Sequence, residues 1–381
     1  MCPSYPEIAC QHSLCAIDNN AGSFNYLDAD EMIQSFTVLH RWAQTLALLL
    51  LSGALVAQVN DARFTPSDAY SINQNFFKMP SGRTIGSTAG FAISPDGSSI
   101  WVFDRCGANN CVGSDLDPVM QFDMDGDHLI SFGANMFIRP HGLHVDRQGN
   151  VWLTDGEGPD GRDPRRDGKG HQVFKFSSSG ELLLTLGKPG IAGTGLDVFN
   201  QPSAVYVAPN GDIFVGDGHG GQSNARIMKF DAQGNFIKTW GERGNGPGEF
   251  AVPHALAMDS LGRLFVGDRG NNRIQIFNVE GNFIAEWPQF GRPSGVYIDD
   301  NDMLYVTDSS STPSNNPGYA EGIRIASAHD GKVITFIDDP DADGTQEGVF
   351  ADADGNVYGS LTGGMAIRMA IRMAIRKYEL P

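Results

Sequence analysis

The sequence predicts an all-β chain, a six-bladed β-propeller with four strands in each blade. Three observations carry this. Five segments repeat at one register: Pro140-His141-Gly142-Leu143, Pro202-Ser203-Ala204-Val205, Pro253-His254-Ala255-Leu256, Pro293-Ser294-Gly295-Val296 and Gln346-Glu347-Gly348-Val349, and Thr88-Ala89-Gly90-Phe91 makes a looser sixth. The register residues Ala89, His141, Ser203, His254, Ser294 and Glu347 are separated by 52, 62, 51, 40 and 53 positions, close to the length of a propeller blade. Within each unit an alternating strand, a Gly turn and a second strand ending at Asp are followed by two more strands.

The second unit shows the order. His141 to Val145 is its first strand, Asp146 to Asn150 the turn and Val151 to Thr154 the second strand; Val173 to Phe176 and Glu181 to Leu186 are the third and fourth. Equivalent third strands are Val119 to Phe122, Ile227 to Phe230 and Ile274 to Phe277. The polar stretch from Gly156 to Lys169 reads as a surface loop. Asp155, Asp217, Asp268 and Asp308 recur at the end of the second strand and read as turn-stabilising residues. Too few strands follow Glu347 to finish the last unit. The N-terminal segment near Phe76-Phe77-Lys78-Met79 is therefore expected to complete the sixth blade and close the ring. The tandem tract Met365-Ala366-Ile367-Arg368, repeated at Met369 and Met373, reads as a local duplication. One copy, ending Arg376-Lys377-Tyr378, supplies the third strand of that blade.

The apolar run Thr45 to Ala57 follows Arg41 and precedes polar Gln58; it reads as a signal-peptide core. Ser52-Gly53-Ala54 and Ala57 offer cleavage sites, so the mature chain begins at Leu55 or Gln58. On this reading residues 1–31 are a mis-called extension, 32–57 the signal peptide and 58–381 a single propeller domain, exported to a periplasmic or extracellular space. Of five cysteines only Cys106 and Cys111 lie beyond the cleavage region, and an oxidising compartment would pair them. A net charge of -18 excludes a phosphate-rich nucleic-acid partner. The expected partner is a small-molecule or peptide substrate, met by a monomer with no membrane attachment after signal cleavage.

A closed ring of six would bring His141, His254 and Glu347, on alternate blades, to one axis. Two histidines and a glutamate form a good catalytic set for a divalent metal, with a position left open. At the same register Ser203 and Ser294 read as packing residues. His144 lies an odd step from His141, on the other strand face, and His171 opens a third strand as a structural residue.

Phe137-Ile138-Arg139-Pro140-His141-Gly142-Leu143, Gly149 to Asp155, His171 to Phe176, Val252 to Leu256 and Asp268 to Ile274 together resemble NHL-repeat propellers. Within these they are most similar to the peptidyl-α-hydroxyglycine α-amidating lyases, over roughly residues 85 to 360. The resemblance implies a catalytic zinc held by three histidines. His141 and His254 match two of these positions, while Glu347-Gly348 stands where the family has His-Asp. Arg105 and Arg269 match arginines of the family's active site and would bind a substrate carboxylate. His219, in Asp217-Gly218-His219, stands at the family's catalytic tyrosine and would serve as the base. The expected function is that of an exported metal-dependent lyase-like enzyme cleaving an α-hydroxylated amide, with zinc as the ion and structural calcium left open. The alternative is a non-catalytic NHL propeller that binds a protein or glycan partner.

Overall fold

The structure, a computed structural model, describes residues 61, 63–338, 345–363 and 374–381. Its strands form six four-stranded antiparallel sheets. The first strand of each lines the axis: Thr88–Ile93, Pro140–Val145, Pro202–Val207, Pro253–Met258, Pro293–Ile298 and Thr345–Ala351. Each touches the first strand of the next blade, and Thr345–Ala351 touches Thr88–Ile93, so the ring is continuous. The remaining strands of blade two are Val151–Asp155, Gln172–Phe176 and Leu182–Leu186. The stretch after Asp155 is a surface loop with one 3₁₀ turn, Pro164–Arg166, whose N-cap is Asp163.

The sixth blade orders its strands Thr345–Ala351, Val357–Thr362, Ile375–Glu379 and, outermost, Ser71–Asn73. Ser71 pairs with Glu379 and Asn73 with Lys377. The N-terminal strand thus lies a few residues before the expected Phe76–Met79. Those apolar residues do something else. Phe77 packs edge-on against Phe122 of blade one at 5.2 Å, and Phe76 against Tyr358 of blade six at 5.7 Å. A dense apolar run was the wrong cue at this point, because Phe76 and Phe77 pack between blades while the strand itself is the short segment around Ile72, which meets the core between blades five and six. The extension, the signal peptide and all but the last residues of the tandem tract lie outside the described residues.

The core is six wedges of apolar side chains, one between each pair of neighbouring blades. Trp101, Phe103, Phe137 and Leu153 fill one of them, between blades one and two; Phe214, Ile227, Phe250 and Leu264 fill another, between three and four. Two features of the repeat aim its first strand. Three of the buried aspartates that end a second strand accept backbone N–H groups from the loop entering their own blade, Asp155 from Ile138 and Arg139, Asp217 from Asn200 and Asp268 from Ala251 and Val252, whereas Asp308 accepts the N–H of Ser311 in the loop that follows it. The reading of these residues as turn stabilisers holds in this specific form. Moreover, every first strand carries a register shift at its entry, as between Pro140 and Leu143 or between Pro253 and Ala255. A bulge leaves one residue out of the ladder and re-aims its side chain; here that residue is the register residue.

Candidate metal centre

The bulges turn His141, His254 and Glu347 into the axial channel, which is also lined by Ser203 and Ser294. All three are buried. The Nδ1 atom of His141 lies 2.7 Å from the carbonyl oxygen of Ser203, and that of His254 lies 2.8 Å from the carbonyl of Ser294. A carbonyl only accepts, so each Nδ1 carries the proton and each Nε2 keeps its lone pair. Both lone pairs face Glu347: its Oε1 is 3.3 Å from Nε2 of His254 and 3.8 Å from Nε2 of His141. The serines at the same register turn away, Ser203 donating to the carbonyl of Pro253 and Ser294 to the hydroxyl of Ser309.

His219 joins them from a neighbouring loop. Its Nε2 lies 3.3 Å from that of His254, and its ring centroid 4.6 Å from that of His141. The loop can make this approach because Gly218 and Gly220 take positive φ values of 143° and 121°, open to glycine alone at low cost. Ser223 Oγ then accepts the N–H groups of both His219 and Gly220. One ligand atom from each of His141, His219, His254 and Glu347 can be chosen so that all lie within 4.8 Å of one another.

These residues fit a divalent ion. Lone pairs and a carboxylate brought together away from water repel each other unless a cation lies between them. Nε2 of His141 is buried and has no hydrogen-bond partner among the described residues, and an orphan of this kind fits a ligand atom awaiting an ion. Burial, followed by neighbouring charged groups, holds all three imidazoles well below their ordinary pKa, so they are neutral and ready to ligate. The backbone carbonyls behind the two Nδ1 atoms orient the rings in the way that outer partners do at metal sites.

Both expected arginines border this cluster. Arg269 places Nη2 3.4 Å from Nε2 of His219 and Nη1 4.0 Å from Oε1 of Glu347. Arg105 is buried; its Nε donates to the carbonyl of Pro140 and its Nη1 to Asn109 Oδ1. Burial and the nearby Arg139 bring its pKa down to about 10, still charged at neutral pH. Cys106 and Cys111 form a disulfide across the loop that follows Arg105. Closing so short a loop contributes roughly 2 kcal/mol. Reduction is therefore expected to lower the urea midpoint and loosen Arg105 while leaving the histidines in place; denaturation with and without reductant, with metal content measured in both, checks this.

His144 and His171 stay out of the cluster. The ring of His144 packs 4.5 Å from that of Tyr206, and Nδ1 of His171 accepts the N–H of Gln201. The sequence reading missed Arg139. It immediately precedes Pro140-His141, and its N–H is held by Asp155. Its ion-pair partner is Glu157, at the start of the blade-two surface loop. A basic residue beside the ligand motif was the available signal.

Comparison with known proteins agrees with this architecture. An NHL repeat model matches residues 250–277. Mouse NHL repeat-containing protein 3 is 31% identical over 62% of this chain and 63% of its own length. A probable peptidyl-α-hydroxyglycine α-amidating lyase of Caenorhabditis elegans is 37% identical over 36% of each chain. The chain thus spans less than two thirds of either relative. Among solved structures, a gluconolactonase from Xanthomonas campestris superposes with a TM-score of 0.52 at 17% identity, covering 78% of this chain and 88% of that one, which shows a shared fold. The chain is a six-bladed β-propeller with a match to the NHL repeat at residues 250–277, and it resembles the peptidyl-α-hydroxyglycine α-amidating lyases over part of its length.

Proposed function

We propose that the protein is an exported, metal-dependent lyase that cleaves an α-hydroxylated amide, acting as a monomer on a small-molecule or peptide substrate. The observation that carries this is the convergence of two imidazole lone pairs and a carboxylate on one buried point, with guanidinium groups beside it. His141, His254 and Glu347 would hold the ion, and we propose zinc. When bound, it supplies Lewis acidity toward a hydroxyl or carbonyl oxygen.

The side chains divide the remaining work. Arg105 and Arg269 hold the substrate's carboxylate, which places the hydroxylated carbon toward His219. The lone pair on Nε2 of His219 takes the hydroxyl proton as the carbon–oxygen double bond forms. The bond from that carbon to the amide nitrogen breaks, and the nitrogen leaves with a proton returned by His219. The products are a free amide and a 2-oxo acid. Burial lowers the pKa of His219, which keeps it unprotonated at neutral pH. Export is supported by the Cys106–Cys111 disulfide, a bond that persists in oxidising compartments.

The test joins metal analysis of the purified protein to an assay of glyoxylate released from a peptidyl-α-hydroxyglycine. A near-stoichiometric divalent ion together with glyoxylate release is expected. Metal-free protein that stays folded and takes up no added zinc sinks the proposal and favours a propeller that binds a protein or glycan partner. Metal-loaded protein that hydrolyses an amide or ester without forming an oxo acid keeps the site and changes the reaction.

A further inference from the structure

Arg139 has a buried Nε–H that finds no acceptor among the described residues. Leaving such a donor unmet costs on the order of 1 to 3 kcal/mol, more for a charged group. The rest of the side chain is not slack, because Nη1 is committed to Glu157, and Glu157 is shared with Arg166 through its other oxygen at 3.2 Å. The surface loop of blade two holds Glu157 firmly. The carbonyl of Glu157 accepts the N–H of His171, and a side chain on Gly170 would come within 1.8 Å of that carbonyl oxygen. Gly156, the residue before Glu157, sits directly beside His141; a Cβ there would lie 3.4 Å from that of the histidine. Arg139 is therefore clamped on one edge of its fork, next to a metal-ligand candidate, with the Nε edge unmet.

Its charge acts on the whole site. With burial as the larger cause, it helps to depress the pKa values of His141, His219, Arg105 and Arg269. Glu157 and Glu347 face the guanidinium groups of Arg105, Arg139, Arg166 and Arg269, and Arg292 adds its charge behind Arg269. Asp160 also pairs with Arg166, so with Arg292 counted the five arginines exceed the three carboxylates by two before any metal is counted, in a chain whose net charge is -18. A positive site in a narrow channel focuses the field and raises the local concentration of anions.

Building on the site proposed above, we infer that Arg139 is a specificity-determining residue that binds a second anionic group, so that the preferred substrate is a small dianion. One carboxylate lies on Arg105 and Arg269. The other anionic group meets the Nε edge of Arg139, an edge suited to planar, charge-assisted recognition.

The test titrates the purified full chain with succinate and with propionate by calorimetry, measuring metal content in every sample. Wild-type protein is expected to bind succinate about 10 to 100 times more tightly than propionate, the range for one charge-assisted hydrogen-bonded contact. R139Q is expected to lose that preference and keep its affinity for propionate. R139K, which restores the charge without the fork, is expected to recover part of it. Equal binding of the two probes by wild-type protein overturns the inference, as does an R139Q protein that retains the wild-type preference. Metal content separates the two proposals: a metal-free protein that still prefers succinate upholds the anion site and sinks the metal reading, and a metal-loaded protein with no preference does the reverse.

Discussion

His254→Ala is expected to abolish stoichiometric metal binding and to lower catalytic activity by more than about a hundredfold, beyond what loss of an outer partner of a metal ligand costs. The reason is its position. Nε2 of His254 is 3.3 Å from both the Glu347 carboxylate and the His219 ring, so its removal takes away the donor that both share. The fold should survive, since the imidazole projects into the channel from a bulge and takes no part in an apolar wedge. His171→Ala is the control, for that ring is tied to Gln201 outside the cluster. Metal analysis by mass spectrometry, with circular dichroism on the same samples, reads the result. Normal metal content in folded His254→Ala protein would contradict the assignment.

Asp268→Ala is expected to have the largest effect on stability, roughly 3 to 5 kcal/mol, the range for breaking a buried ion pair by removing one partner. Asp268 is fully buried. Its carboxylate accepts from the backbone of Ala251 and Val252, from Asn271 and from Arg273, whose Nε is 3.1 Å away. Truncation leaves the buried Nε of Arg273 without its acceptor, although Glu286 and the carbonyls of Asn245, Gly246 and Glu249 still hold its other nitrogens, and it frees the loop that delivers Pro253-His254. A fall in the denaturant midpoint should therefore come with weaker metal binding, although Asp268 is not among the candidate ligands. Equilibrium unfolding and zinc titration on one preparation would show both. A loss of stability with unchanged zinc affinity would separate the fold from the site.

Much of this architecture was legible because the repeat states it five times over. The alternation and the Gly turns marked the strands of each blade, and the shared register placed Ala89, His141, Ser203, His254, Ser294 and Glu347 at equivalent points. What the pattern could not reveal is what depends on loops and bulges. The bulge at each entry appears only when the first strand is paired with the second. The closing strand, Ser71–Asn73, is only three residues long, so its alternation around Ile72 is too brief to stand out, while Phe76 and Phe77 beside it advertise a strand and serve as packing. The approach of His219 to His254 depends on glycine backbone angles in a loop, to which side-chain periodicity is blind. Arg139 escaped notice for a similar reason: the Glu157 that clamps it arrives from a stretch read only as surface.

The bulge at every blade entry has a consequence for how such a protein can change. A residue held out of the hydrogen-bonded ladder can be exchanged without disturbing the pairing on either side of it. The ring therefore behaves as six sockets around one axle, each accepting a different side chain at little cost to the frame. Ala89, Ser203 and Ser294 occupy three of these sockets without offering a ligand, so a histidine or aspartate installed at one of them would move the donor set around the axis while the propeller stays as it is.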